Sequence, residues 1–93
     1  MEAMTHCVVY TAKQGQRDAF VQEVFSGDLL KTIRDQEGCQ TYDFYLSEES
    51  DERIMLMETW ESNDQREKYL TQPPMQKISQ LVDHYIEDIE IIG

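Results

Sequence analysis

The segment Arg53–Ser62 has the pattern of a strand that is buried for most of its length, with four apolar residues in succession at its start. Side chains of a strand point alternately to opposite faces, and both faces of this strand are apolar at their start. We therefore predict that it lies in the middle of a sheet that is covered on two sides. The carboxylate of Glu58 shares a face with apolar residues and then needs hydrogen-bond partners or a solvated pocket, because burying an unpartnered charge costs roughly several kcal/mol. The residues predicted to share its first face are Ile54, Leu56, Glu58 and Trp60.

The rest of the chain divides into segments with strand-like alternation and segments with apolar residues at helical spacing. Glycine and proline separate these segments, and Ser62 has the position of a helix N-cap. The predicted elements are a strand at His6–Ala12, a helix from Arg17 to a left-handed cap at Gly38 with a kink at 26–28, a strand at Gln40–Ser47, the strand described above, a helix from Ser62 to Leu70, a helix starting near Pro74, and a strand at 87–92.

The order strand–helix–strand, hairpin, strand–helix–strand predicts a ferredoxin-like split βαβ fold of class α+β. Four antiparallel strands would form one sheet, with the helices on one face. The helix-free face would still carry Met55 and Met57. We therefore predict a homodimer in which two sheets pack face to face and close an α+β barrel.

Length and composition limit the function further. The 93 residues predict a single domain, 1–93, and the formal net charge of −11, with eight basic residues, argues against nucleic acid as a partner. No run approaches the ~20 apolar residues of a membrane span, and the N-terminus lacks a basic apolar leader, so we expect no membrane partner and a cytoplasmic location. Cys7 and Cys39 lack C-x-x-C spacing and are expected to be reduced thiols.

Four short stretches of the chain form a recognisable set in their order and spacing. They are Gly15 with Phe20, Glu37-Gly38-Cys39-x-x-Tyr42, Met57–Ser62, and Tyr69-Leu70-x-x-Pro73. Together they resemble the antibiotic biosynthesis monooxygenase (ABM) domain family of the dimeric α+β barrel superfamily. The resemblance implies the fold predicted above, with a site between the sheet and its own helices. It also implies several possible activities: some members oxygenate phenols and quinols with O₂ and no metal or organic cofactor, others degrade haem or isomerise a small phosphorylated signal, and others have no established activity.

Carried over by position, Trp60 matches the tryptophan of the family's strand, and Glu58 matches the acidic residue two positions earlier. Tyr69 stands where many members have histidine, and Pro74 stands where a frequent Pro-His-aromatic motif has its histidine. Both helix histidines are therefore absent. That departure argues against a mechanism that needs an imidazole on these helices.

The candidate catalytic residues are Glu58, Tyr69 and His6, as proton acceptors or hydrogen-bond donors. Each has a structural alternative: Glu58 as an anchor for a helix N-terminus or backbone amide, Tyr69 as an amphipathic boundary residue, and His6 as an ordinary strand histidine. The candidate substrate-binding residues, of which Trp60 is equally interpretable as core, are Trp60, Tyr42, Leu56 and Phe20.

We predict no cofactor and no metal, because His6 and His84 lack a cysteine or carboxylate at ligand spacing and no phosphate-binding loop occurs. Two functions remain. One is a cofactor-independent monooxygenase acting on a small aromatic phenol or quinol, and the other is a non-catalytic dimeric ligand-binding or interaction module of the same fold.

Overall fold

A computed structural model of the chain describes residues 3–93. Strands and helices follow one another in the predicted order, with two helices in place of one after the first strand. The elements are β1 (Met4–Ala12), α1 (Arg17–Phe25), α2 (Leu29–Arg34), β2 (Cys39–Leu46), β3 (Arg53–Trp60), α3 (Asn63–Tyr69), α4 (Pro73–Tyr85) and β4 (Ile86–Ile91).

The four strands form one antiparallel sheet in the order β2-β3-β1-β4. The predicted fold, a ferredoxin-like α+β sheet, is thereby confirmed, and β3 occupies the interior position that its two apolar faces predicted. Every second residue of β3, from Ile54 to Trp60, is buried, whereas the residues between them are only partly buried. The helices therefore cover one face of the sheet. No helix in residues 3–93 is long and apolar enough to cross a membrane.

The register of the strands brings three polar or aromatic side chains into one row on the helix-covered face. His6 of β1 and Tyr42 of β2 are both directly opposite Glu58 of β3. Directly opposite side chains lie about 4.5–5.5 Å apart at Cβ, so this row can act as one surface. Around it lies the core, whose largest fully buried side chains are Trp60, Tyr42, Tyr69, Phe20, Ile33, Ile54, Ile78 and Val24.

The single kinked helix predicted from Arg17 to Gly38 is wrong in detail, because the chain forms two helices with a break between them. Gly27 has a φ of +59°, which no helix accommodates, and the Ser26 hydroxyl donates to the Glu23 carbonyl at 2.9 Å. The second helix ends at Arg34, yet Gly38 has the predicted positive φ, +86°. Glycine is required at this position for two reasons: a side chain strains a backbone with this φ, and a Cβ would collide with the side chain of Gln65 in α3.

The start of α3 follows the prediction closely. The Ser62 hydroxyl accepts a hydrogen bond from the Gln65 N–H at 3.3 Å, which caps the helix and fixes its orientation over the sheet. The next helix begins at Pro73, one residue before the predicted start, since a proline in the first turn has no N–H to leave unpaired.

Candidate functional site

A cavity of about 290 Å³ lies between the sheet and the helices α3 and α4. Its floor is the helix-covered face of the sheet, one side is formed by α3 and α4, and the other side is the edge strand β4. The floor residues are His6, Val8, Tyr10, Tyr42, Leu56 and Glu58; the helices supply Arg66, Leu70, Met75, Ile78, Ser79, Val82 and Asp83, and β4 supplies Ile89 and Ile91.

The charged centre of this cavity is an ion pair between Glu58 and Arg66. Glu58 Oε1 accepts from Arg66 Nε at 3.0 Å and from Trp60 Nε1 at 2.8 Å. The side chains of Glu58 and Arg66 are only 5% and 17% exposed. The carboxylate is therefore anchored by two side chains, and not by a helix N-terminus or a backbone amide. Within residues 3–93 both of its hydrogen bonds end on Oε1, which leaves Oε2 for a ligand.

Arg66 reaches the cavity from the middle of α3, and the sequence analysis did not identify it. Residues three apart on a helix share a face, so the predicted site residue Tyr69 pointed to position 66. That spacing was the available signal. Only Nε of Arg66 takes part in the pair, and in the described part of the chain its two Nη groups remain able to donate to a ligand.

Tyr42 on the cavity floor is hydrogen-bonded to a second phenol, Tyr69, which lies behind it in the core. The Tyr69 hydroxyl donates to the Tyr42 hydroxyl at 3.1 Å, and the Trp60 ring stacks on Tyr69 with 5.2 Å between ring centroids. Burial raises the pKa of both Tyr42 and Tyr69 above the ordinary value for tyrosine. At neutral pH both side chains are therefore uncharged hydrogen-bonding groups.

Tyr10 is a further phenol on the cavity floor that the sequence analysis missed as a site residue. Its ring packs edge-to-face on Phe20 at 6.0 Å. Burial, reinforced by the negative charge of Glu58, raises the pKa of Tyr10 to about 12. The signal for it was its strand position, because Tyr10 lies four residues after His6 and so on the same face.

The family of this chain follows from a comparison with known protein families. A family model described as antibiotic biosynthesis monooxygenase matches residues 4–81, which include β1, β2, β3 and most of α4. The chain belongs to the antibiotic biosynthesis monooxygenase family. No curated protein matches the chain significantly.

Solved structures confirm the fold of this ABM chain. A protein from Pseudomonas aeruginosa superposes with a TM-score of 0.86 at 18% identity, over 99% of this chain and 91% of that one. A conserved protein from Methanosarcina mazei Go1 gives 0.83 at 20% identity, over 99% and 92%. An antibiotic biosynthesis monooxygenase gives 0.78 at 13% identity, over 96% and 94%. At these identities the likeness extends to the fold alone.

The structure divides the predicted site residues of this ABM protein into two groups. Four of them line the cavity: His6, Tyr42, Leu56 and Glu58. Of these four, His6, Tyr42 and Glu58 form the row described above. The other predicted residues, Trp60, Tyr69 and Phe20, lie in the core and outside the cavity lining. Their contacts run to cavity residues: Trp60 to Glu58, Tyr69 to Tyr42, and Phe20 to Tyr10. The roles of all seven remain predictions.

The arrangement combines groups that accept and donate protons with apolar walls. Glu58 Oε2 and the His6 imidazole are acceptors, whereas the Nη groups of Arg66 and the phenols of Tyr10 and Tyr42 are donors. No three His, Cys, Asp or Glu side chains among residues 3–93 are grouped so that they could hold a metal ion. The cavity thus offers proton acceptors and hydrogen-bond donors beside apolar walls.

Proposed function

We propose that this ABM chain is a cofactor-independent monooxygenase that acts on a small aromatic phenol or quinol. The observation that carries the proposal is the buried Glu58–Arg66 pair, whose second carboxylate oxygen is left for a ligand in a largely apolar cavity. A carboxylate acceptor beside a fixed cation is the arrangement that deprotonation of a phenol requires.

The cavity suits a molecule of one or two rings. Its volume, about 290 Å³, lies at the lower end of the roughly 300–1,000 Å³ that is usual for ligand pockets. Leu56 and Val8 on the sheet and Ile78 on α4 provide apolar walls for a flat ring. The substrate's hydroxyl group would then reach the polar row at Glu58.

The first chemical step is removal of the phenol proton. Glu58 Oε2 accepts this proton, and His6, on the neighbouring strand, is the second possible acceptor. The Nη groups of Arg66 donate hydrogen bonds to the resulting phenolate, which lowers its energy in a cavity that excludes most water. Tyr69 acts through Tyr42, since its hydroxyl holds the Tyr42 phenol at the cavity wall.

The substrate itself supplies the electrons for oxygenation. The phenolate gives one electron to O₂, and the phenoxyl radical and superoxide combine to form a C–O bond at the ring carbon opposite the hydroxyl or, in a quinol, at a free carbon next to one hydroxyl. Proton transfer and cleavage of the O–O bond release water and leave a quinone. Phenol and O₂ thus become quinone and water, with all four electrons coming from the ring.

We also propose a homodimer formed through the helix-free face of the sheet. Val9, Tyr45 and Met55 lie in one row on this face, and Tyr45 is exposed. A second copy packed against this face would bury the apolar row, and each Å² of apolar surface removed from water would stabilise the dimer by about 25 cal/mol. The cavity lies on the opposite face and would remain accessible in such a dimer.

Two observations favour a ligand-binding module without chemistry as the second candidate. Glu58 Oε1 already has two partners, and Tyr69 and Pro74 occupy the positions of the histidines that the family resemblance implies. In this alternative the ion pair orients a bound hydroxyl compound and nothing further happens.

Oxygen consumption distinguishes the two candidates. Metal-free protein is mixed with a panel of phenols and hydroquinones in an oxygen electrode, alongside Glu58→Gln and the control Glu61→Gln, which removes an exposed carboxylate outside the cavity lining. We expect uptake with at least one substrate, a loss of about 10²-fold or more in Glu58→Gln, and no change in Glu61→Gln. Binding without uptake above buffer, across the whole panel, would establish the binding module instead.

A further inference from the structure

The lining of the cavity is polar in one part and apolar in another. The Glu58–Arg66 pair is buried, whereas the lining supplied by β4, the edge strand separated from β3 by β1, is apolar, as is Leu70 directly after α3. Ile89 is 52% exposed and Ile91 is 68% exposed, although both line the cavity. The cavity is therefore open beside β4, and its rim there is apolar.

The direction of these two isoleucines follows from the register of β4 on β1. Ile89 is opposite Tyr10 and Ile91 is opposite Val8, both of which lie on the cavity floor. Directly opposite residues of an antiparallel pair share a face. Ile89 and Ile91 thus stand on the helix-covered face.

These two isoleucines therefore point away from the face through which the dimer is proposed to form. The dimer would use the other face of the sheet, where Val9 and Met55 lie. Because the apolar rim is continuous with the cavity, a bound molecule whose polar group contacts Glu58 would extend along the rim towards the solvent. The rim is thus placed to contact the part of the ligand that projects beyond the ring.

We propose that the ligand carries an uncharged alkyl chain on its ring, and that this chain lies along the rim formed by Ile89, Ile91 and Leu70. This inference rests on the proposed function for the ring and its hydroxyl group, and it adds the class of substrate: alkyl-substituted phenols or quinols. In a phenol the carbon opposite the hydroxyl must stay free for oxygenation, so the alkyl chain is attached at the carbon next to it, position 3 of the ring.

The charges around the cavity exclude an anionic ligand of the same shape. Arg66 is neutralised by Glu58, and Asp83 lies exposed among the cavity residues of α4. The chain as a whole carries a formal charge of −11. A fatty acid would bring a further negative charge to this surface, and the cavity residues offer no uncompensated cation to pair with it. A neutral alkylphenol brings no such charge.

The test uses a series of 3-alkylphenols from methyl to hexyl, with binding measured by calorimetry in the absence of oxygen. Each methylene that lies against the rim should tighten binding about threefold to fourfold, which corresponds to about 0.8 kcal/mol of apolar burial. Alkanoates of the same chain lengths serve as the charged control and should not bind measurably.

Variants of the rim residues show where the alkyl chain of the ligand binds. Ile89→Ser and Ile91→Ser should show a smaller increase in affinity along the series from methyl to hexyl than the unaltered protein does. Leu70→Ser tests the side of the lining that follows α3, and it covers the case in which a β4 variant is poorly folded. Ile92→Ser is the matched control, because Ile92 is 58% exposed yet does not line the cavity, and it should keep the full increase.

Each outcome bears on one proposal. A chain-length dependence that the rim variants weaken supports this inference, even when no oxygen is consumed, in which case only the monooxygenase proposal fails. Affinity that is independent of chain length, or that rises equally in all variants, overturns the inference. Oxygen consumption with short phenols would then leave the proposed function intact.

Discussion

The buried ion pair of Glu58 and Arg66 makes a quantitative prediction for stability. The two variants Glu58→Gln and Arg66→Met each leave one charge without its partner, which is costly in a site where the side chains are 5% and 17% exposed. Breaking a buried pair typically costs about 3–5 kcal/mol. Since Glu58 is the more buried partner, we expect about 3 kcal/mol for Arg66→Met, and about 2 kcal/mol for Glu58→Gln, whose amide oxygen still accepts from Trp60.

The double variant should be far from additive. Glu58→Gln/Arg66→Met removes both charges together, so we expect a loss of about 3 kcal/mol rather than the sum of about 5, and hence a coupling of about 2 kcal/mol. The assay is urea unfolding followed by circular dichroism at one fixed protein concentration and pH 7. Asp35→Asn is the control, because it removes an exposed contact to Lys31, and the unfolding midpoint should not move.

Single-variant effects that add to within about 0.5 kcal/mol would refute this reasoning. They would mean that the two side chains stabilise the fold independently, and that the carboxylate is held in place by Trp60 alone. The assignment of Arg66 to the phenolate would then lose its structural basis.

Three further predictions concern pH, backbone and assembly. The pKa of Tyr10 is raised to about 12 from an ordinary value of 10, so the folded state keeps the phenol proton to a higher pH than the unfolded state does. The contribution of Tyr10 to the free energy of unfolding is therefore constant below pH 9 and falls by roughly 3 kcal/mol between pH 10 and 12. Urea unfolding at several pH values should show a smaller fall in Tyr10→Phe. Gly38→Ala should lose roughly 2–3 kcal/mol and the control Gly15→Ala only about 1, since both have positive φ but only position 38 meets Gln65; equal losses would contradict the collision. Sedimentation equilibrium should give a dimer that Met55→Asp converts to a monomer, and a folded monomer in the unaltered protein at micromolar concentration would disprove the interface.

The sequence predicted the sheet well because the relevant signals are local. Alternation in Arg53–Ser62 placed β3 inside the sheet, the Ser62 side chain marked the start of α3, and Gly38 marked a left-handed residue. The break at Gly27 was underestimated, because an apolar stripe that continues across a gap does not reveal whether the backbone turns there.

The site was predicted less completely because periodicity gives the face of a residue but not its neighbours on that face. It placed Glu58 and Trp60 together, and the structure joins them by a hydrogen bond. Whether an aromatic side chain lines a cavity or lies behind it depends on how α3 and α4 pack over the sheet, which is a long-range property. Arg66 and Tyr10 escaped notice for the same reason, since each becomes a site residue only when the helices are in place.

We propose that this protein inserts oxygen from O₂ into a phenol without a cofactor. The most direct measurement is mass spectrometry of the product formed from a 3-alkylphenol by metal-free protein under ¹⁸O₂. We predict an alkylbenzoquinone with one ¹⁸O atom, the second atom of each O₂ appearing in water, and a yield that falls by about 10²-fold in Glu58→Gln. A quinone without the label, or no product from a phenol that demonstrably binds, would contradict the claim.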